Sequence, residues 1–181
     1  ETGSLWSPVL NEAITGPQEG EHLSPIAFSI VRWDTWKRTH PRGQVLSRET
    51  GHTRDYTRSP YLLYDENRTL LFPVTHHDSR LHPKELVYGY VGPDGATKAF
   101  PHQYLVEHGE IVDAVAGRKV TITRKGDGTL VTLGENSEGE ETPLHLTPLY
   151  WFSWYTIHPD TELYDPLGEA EARNEVLKDQ E

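Results

Sequence analysis

Cysteine and methionine are both missing from the 181 residues of this chain. Without cysteine, disulfide bonds, thiolate metal sites and a cysteine nucleophile are excluded within these residues. The missing methionine, and a first stretch (ETGSLWSP) that begins like a sequence already under way, lead us to expect a processed or truncated chain. A periplasmic or extracellular protein, or one anchored to the outer side of a membrane, would look like this after losing its signal peptide. A fragment of a longer polypeptide would look the same.

Basic charge and long apolar runs are also scarce. The chain has 28 acidic residues against 17 basic ones and a net charge of -11, and it has no run of Lys or Arg. This disfavours binding to nucleic acid or to an anionic membrane, because both require clustered cations. No stretch approaches the roughly 20 apolar residues that a membrane helix needs. We therefore expect no nucleic-acid partner and no transmembrane segment in this chain.

Turn-forming residues are plentiful, with 13 prolines and 15 glycines, and they cut the chain into pieces that suit short strands. We predict a mainly β protein: a single antiparallel β-rich domain over residues 1–165 with a few short helical turns, then a helical or disordered tail over residues 166–181. The clearest hairpin is KVTITRKGDGTLVTLG, two alternating runs around an Asp-Gly turn. Alternating or β-branched runs predict strands at 26–32, 44–47, 70–74, 86–91, 96–100, 119–124 and 129–133.

One motif, W-x-x-W-x-x-x-H-P, occurs twice and uses four of the five tryptophans. Its copies are WDTWKRTHP at residues 33–41 and WFSWYTIHP at residues 151–159. On a helical turn both tryptophans of a copy lie on one face, and Asp34 is a candidate cap for the first copy. Burial of the indoles against a sheet explains the pattern without a ligand, whereas a pair of aromatic platforms for a ligand is the alternative. We predict a duplicated structural unit that buries four indoles.

Several stretches together resemble the uncharacterised bacterial and archaeal family catalogued as domain of unknown function 3179. They are ETGSLWSP, EAITGP, TWKRTHP, VLSRETGHTRDYTRSPY, FPVTHHDSRLHPKELVYGY and YWFSWYTIHPDTELYD, in that order. The chain corresponds in this resemblance to the C-terminal two thirds of the family. The resemblance implies an exported or lipid-anchored protein and no established activity.

The same resemblance implies a missing part. Family members usually carry a segment with a paired-cysteine motif before the ETGSLWS-like stretch, and that segment is absent here. The stretch DGATKAFPHQYLVEHGEIVDAVAGRKVTI resembles the unit that precedes the cysteine segment. The resemblance therefore implies a second copy of that unit without the cysteines.

A histidine-rich stretch, THHDSRLHPKE, is the first candidate site. Imidazole nitrogens and carboxylates are ligands for copper or zinc, and a loop can bring His76, Asp78 and His82 to one ion, with His77 beside them. The spacing matches no strong metal signature, and His-His pairs also occur on ordinary surfaces. Both a metal site and a plain surface loop remain open.

An arginine-rich stretch, SRETGHTRDYTRSPY, is the second candidate. Arg48, Arg54 and Arg58, with Asp55 among them, could present guanidinium groups to a carboxylate or phosphate ligand. The alternative, which we favour, is a long loop pinned by its own salt bridges.

Catalytic motifs are missing from the sequence. It contains no G-x-S-x-G elbow and no Gly-rich phosphate loop, so whether the protein is an enzyme stays open. His102 and His108 are interpreted as structural, and an acid-base or ligand set of His108 with Glu107 and Glu110 is the alternative. We rank three hypotheses. The first is an extracytoplasmic interaction domain or accessory subunit of a larger complex. The second is a transition-metal-binding protein or metal-dependent enzyme. The third is a small-anion binder.

Overall fold

Short strands dominate the computed structural model, which describes residues 3–24, 26, 28, 30–59 and 61–166. Three short helices within them are α1 (Trp33–Thr39), α2 (His102–His108) and α3 (Trp151–Ile157). The strands are β1 (Leu5–Ser7), β2 (Glu12–Thr15), β3 (Leu86–Val91), β4 (Thr97–Pro101), β5 (Glu110–Val115), β6 (Arg118–Arg124), β7 (Leu130–Glu135), β8 (Glu141–Pro143), β9 (Thr147–Tyr150) and β10 (Glu162–Leu163). The mainly β class is confirmed. The predicted tail lies, apart from Pro166, outside the described residues.

A four-stranded antiparallel meander, β5-β6-β7-β8, forms one sheet. In β5 every second residue is buried, which places Ile111, Asp113 and Val115 on one face of the sheet. The predicted hairpin joins β6 to β7, and Gly128 supplies the positive φ, 87°, that its turn requires. This part of the fold follows directly from the alternating sequence.

A second four-stranded sheet has the order β10-β4-β3-β9 and is buried on both faces. Its pairs are antiparallel except for β10, which runs parallel to β4. Tyr88 and Phe100 of this sheet join Val120 and Ile122 of the meander in one buried cluster, and α2 contacts strands of both sheets. The main core therefore lies between the two sheets.

The opposite face of the second sheet is covered by α3. Val87 and Ala99 form a buried cluster there with Trp151 and Trp154 of the helix. The indole of Trp154 occupies the space above Gly89, where an added Cβ atom would lie 2.2 to 2.4 Å from three ring carbons. Only glycine at this position of β3 leaves room for the ring.

A buried ion pair links the two sheets. Lys98 Nζ on β4 lies 2.7 Å from Asp113 Oδ2 on β5, and both side chains are at least nine-tenths buried. Glu162 of β10 approaches the same ammonium group at 3.6 Å. Burying either charge without the other would be costly, so β4 and β5 must face one another in this alignment.

The N-terminal half differs from the prediction. It holds the β1-β2 hairpin and α1, but no strand forms over 44–47 or 70–74, so these two predicted strands are wrong. None forms at the described residues of 26–32, a range in which 27 and 29 lie outside the described residues. Their apolar side chains face solvent, for example Leu46, which is 97 % exposed. Apolar alternation produces a strand only where a partner strand pairs with it, and none does so within the described residues.

Substitution of Gly89 by alanine should lower the free energy of unfolding, because the new Cβ atom would meet the Trp154 ring. We expect a loss of about 1 to 3 kcal/mol, as for other overpacked cores, measured by urea denaturation. The matched control is Gly126→Ala, because a Cβ atom there meets no atom within 4 Å; its effect should stay within about 0.5 kcal/mol. Equal stability of the two variants would contradict the proposed contact.

Candidate functional site

The two tryptophan motifs adopt nearly the same backbone. The residues before the helices, Arg32 and Tyr150, have φ and ψ of -64° and 146° and of -67° and 147°. The residues after them, His40 and His158, have -125° and 63° and -124° and 70°. Each of these histidines donates its backbone N–H to the carbonyl of the second tryptophan of its own copy. The duplicated helical turn is thus confirmed.

Helix α1 begins without the predicted aspartate cap. Arg32 precedes α1 and makes no side-chain capping bond. Asp34 lies within the first turn and accepts a hydrogen bond from the Thr35 backbone N–H at 2.9 Å. That bond is the largest cause of the lowered pKa of Asp34. Its carboxylate also accepts from Arg32 at 3.1 Å, so it stabilises the first turn from inside.

The two copies of the motif differ in how deeply their tryptophans are buried. Trp151 and Trp154 are 0 % and 1 % exposed, whereas Trp33 is 54 % exposed. Trp33 stacks on Trp36 with ring centroids 5.2 Å apart, and unlike Trp151 and Trp154 it belongs to no buried cluster in the described structure. The prediction of four buried indoles is right for the second copy and wrong for Trp33. The sequence motif specifies the helical turn but does not supply the sheet that covers it.

The histidine-rich stretch contributes to the covering of the second copy. Asp78 Oδ1 accepts a hydrogen bond from Trp151 Nε1 at 3.2 Å, and Asp78 Oδ2 accepts one from Arg80 Nε at 2.9 Å. The Arg80 guanidinium lies over the rings of Trp151 and Tyr155 at 5.2 and 5.7 Å. Asp78 is therefore engaged in positioning a core tryptophan.

The predicted metal ligands do not come together. His76 Nδ1 lies 3.2 Å from the carbonyl oxygen of Thr156, and His82 Nδ1 accepts the Lys84 backbone N–H at 3.2 Å. His77 lies in a cleft with Asp78. No group of three His, Asp or Glu side chains among the described residues could hold a metal ion. The metal hypothesis gains no support from this arrangement.

The arginine-rich stretch is open to solvent. Arg48, Arg54 and Arg58 are exposed, and Arg54 lies 5.8 Å from the ring of Tyr56. Asp55 accepts two hydrogen bonds from Thr57, which hold its pKa below the usual value. The salt bridges found within the described residues do not include any of these three arginines, so the favoured picture of a loop pinned by salt bridges is not supported. Anion binding by this stretch stays a prediction.

A buried lysine organises the loop before the histidine-rich stretch. Lys84 is 5 % exposed, and its ammonium group donates to the carbonyl oxygens of Tyr64, Asn67 and Thr69 at 2.5, 2.6 and 2.7 Å. It also lies 3.6 Å from the centroid of the Tyr64 ring. The side-chain oxygen of Asn67 is a fourth acceptor at 3.1 Å, so all three donors of the ammonium group have partners. This arrangement, the lysine clip, ties residues 64–69 to the strand β3 that follows Lys84.

A cleft of about 730 Å³ opens beside the lysine clip. Its polar lining comes from Arg68, His77, Asp78 and Ser79, and its apolar lining comes from residues 70–74 and Pro83. Of these, His77 and Asp78 belong to the first candidate stretch, whereas Arg68 lies outside it and was not predicted as a site residue. The neighbouring Pro, Leu and Phe residues offered no pattern that would have indicated a cleft.

A tyrosine and a histidine meet at the edge of the main core. The Tyr88 hydroxyl lies 2.9 Å from His102 Nδ1. Burial raises the pKa of Tyr88 to about 12 and, as the largest cause, lowers the pKa of His102. Both groups are thus held neutral at physiological pH. This fits the interpretation of His102 as a structural residue.

The fold and these contacts define a mainly β protein with two packed sheets and a duplicated tryptophan unit. Residues 1–161 match the family described as "Protein of unknown function (DUF3179)", and the chain belongs to this family. The match begins at the first residue and covers more than the C-terminal two thirds that the resemblance implied. Searches of curated proteins and of solved structures gave no match.

Replacement of Lys84 by methionine should leave three clustered carbonyl oxygens without a donor. We expect the free energy of unfolding to fall by about 2 to 3 kcal/mol, the cost of lost hydrogen bonds to a charged group, and trypsin to cut faster after Arg68. Denaturation and limited proteolysis measure the two effects. Lys125→Met, at an exposed hairpin turn, is the control and should change neither. Unaltered cleavage in Lys84→Met would show that the clip does not hold the loop.

Stability should fall in mild acid because of two half-buried histidines. Burial lowers the pKa values of His102 and His158 below the unfolded value of 6.5. As the pH drops through 6.5, the unfolded chain therefore takes up protons before the folded chain does. The neutral histidines contribute their full stabilisation above pH 6.5, and this contribution is lost as the pH falls toward their lower folded-state pKa values. Urea denaturation at about pH 7.5 and about pH 5.5 measures the decline. It should shrink in His102→Gln and His158→Gln but not in the exposed control His22→Gln; an equal decline in all four proteins would contradict the assignment.

Proposed function

We propose that this chain is an interaction domain of a larger assembly and that the aromatic face of α1 is where its partner binds. One observation carries the proposal: α1 and α3 share sequence motif and backbone geometry, yet α3 is covered by a sheet and Trp33 of α1 is 54 % exposed. Within the described residues, one copy of the helical unit is covered by a sheet, and the other copy leaves a tryptophan exposed. An exposed indole that stacks on a partly buried one is typical of binding surfaces.

The covered copy indicates what the partner presents. On α3, Trp151 and Trp154 pack on Val87 and Ala99 of two paired strands, and glycine lies under the second ring. On α1 the corresponding glycine is Gly43, which lies against the Trp36 ring, since an added Cβ atom there would be 2.2 Å from a ring carbon. The partner we propose is therefore an apolar β-sheet face, supplied from outside these 181 residues, that covers Trp33.

The segment before α1 supports the same partner. The strand before α3 is β9, which pairs with β3, whereas the described residues before α1, which are 26, 28 and 30–32, belong to no strand. Among them Ile26 is 81 % exposed, and Phe28 and Ile30 are about half exposed. Phe28 touches His145 with ring centroids 5.7 Å apart, so the segment rests on the β9 side of the molecule. These exposed apolar side chains add a second uncovered apolar surface close to α1 in the sequence.

An extracytoplasmic location is part of this proposal. It is supported by the family resemblance, which implies export, and by a strongly acidic composition without basic clusters. Metal binding by His76, Asp78 and His82 and anion binding by the arginine-rich stretch remain hypotheses without a supporting contact.

The substitution Trp33→Ala should abolish assembly while leaving the chain folded. Because Trp33 is half exposed, we expect its loss to change the free energy of unfolding by less than about 1 kcal/mol, whereas Trp151→Ala should cost about 3 to 5 kcal/mol. Recovery of the native assembly, measured by size and mass after purification from the source cells, should fall about tenfold or more in Trp33→Ala.

A photo-crosslinking residue at position 33 identifies what lies on this face. The matched control is position 62, because Leu62 is also exposed, at 79 %, but lies away from α1 in sequence. We expect crosslinks from position 33 alone, to a β-strand segment outside these residues. Crosslinks to a second copy of this chain, or an assembly unaffected by Trp33→Ala, would contradict the proposal.

A further inference from the structure

The cleft beside the lysine clip is held open by contacts at both of its ends. At one end, the carbonyls of Asn67 and Thr69 are fixed by the Lys84 ammonium group. At the other end, Asp78 is fixed by Trp151 and by the backbone N–H of Arg80 at 2.8 Å. The residues between these ends line a volume of about 730 Å³. The shape of the cleft is therefore set by the buried core on which both ends rest.

Three polar side chains lining this cleft are available to a ligand. They are the guanidinium of Arg68, the imidazole of His77 and the hydroxyl of Ser79. Within the described part of the chain, no side-chain hydrogen bond or ion pair engages any of the three. The only acidic side chain in the lining is Asp78, and its carboxylate is already neutralised by Arg80 at 2.9 Å. All three groups can donate a hydrogen bond and Arg68 carries a positive charge, so together they favour an anion.

The remaining wall of the cleft is apolar. Leu71 and Phe72 are 59 % and 77 % exposed, and Pro73 and Val74 continue the lining. Here large solvent-exposed apolar side chains lie beside polar groups without partners. This combination is typical of sites for ligands that have an apolar part and a polar head. A bare inorganic anion would use only half of the lining.

We propose that this cleft binds a small amphiphilic oxyanion, in which a carboxylate or phosphate head lies at Arg68, His77 and Ser79 and a short hydrocarbon chain lies along Leu71 and Phe72. The planar guanidinium of Arg68 binds either head group through two parallel N–H donors. The site is separate from the proposed interface at Trp33, and it differs from the arginine-rich stretch at residues 48–58.

Calorimetric titration of the full chain with a matched set of probes tests this site. The probes are hexanoate and hexyl phosphate, acetate and inorganic phosphate without the chain, and hexanol without the charge. Hexanoate or hexyl phosphate should bind at least about tenfold more tightly than the probe lacking its chain, and hexanol should not bind measurably. Equal binding of hexanol, or no binding of either hexyl anion, would overturn the proposal.

Variants locate the binding. Arg68→Ala should weaken the hexyl anion about tenfold or more, and Arg68→Lys, which keeps the charge without the fork, should give a smaller loss. Phe72→Ala should weaken the hexyl anion but not the short one. The control Arg42→Ala, at an exposed position outside both candidate stretches, should bind like the unaltered chain; a loss there equal to that in Arg68→Ala would overturn this site. Circular dichroism confirms that each variant is folded.

Discussion

The packing of Trp154 onto Gly89 is the contact on which much of the C-terminal half depends. It seats α3 on the second sheet, and this brings Trp151 within reach of Asp78 and Arg80. The Trp154 indole N–H is satisfied by the hydroxyl of Thr161 at 2.9 Å, just before β10 joins the sheet. A sheet that is buried on both faces needs a small residue where a bulky one crosses it, and here a single glycine meets that need.

The part of the fold that could be predicted from sequence is the part in which local pattern and tertiary packing agree. The β6-β7 hairpin has alternating residues, a turn with glycine and a partner strand next to it in the chain, so nothing distant decides its structure. The segments around Val45 and Phe72 have a similar apolar content, but pairing would have to come from elsewhere. The strands β9 and β10 were not predicted, because their runs of four and two residues are too short to show a pattern. They form because β3 and β4, which lie far away in the sequence, pair with them.

The candidate sites show the same limit. The sequence located the histidine-rich stretch, but only the fold shows that Asp78 binds an indole and that His76 meets a backbone carbonyl. Lys84 stood at the end of that stretch without a recognisable role, because its partners are backbone carbonyls 15 to 20 residues earlier. Side-chain type indicates which bonds are possible, whereas partners supplied by main-chain atoms leave no signature in the sequence.

The ion pair between Lys98 and Asp113 also has a consequence for how the chain folds. Neighbouring side chains on a strand point to opposite faces, so slipping β4 or β5 by one residue would turn one of the two charges away from the other. A misaligned pairing would then leave a lone charge in a nonpolar interior, a penalty of several kcal/mol. The pair thus acts as a check on alignment: among compact arrangements with similar apolar burial, it singles out the one in which the two sheets meet in the native register.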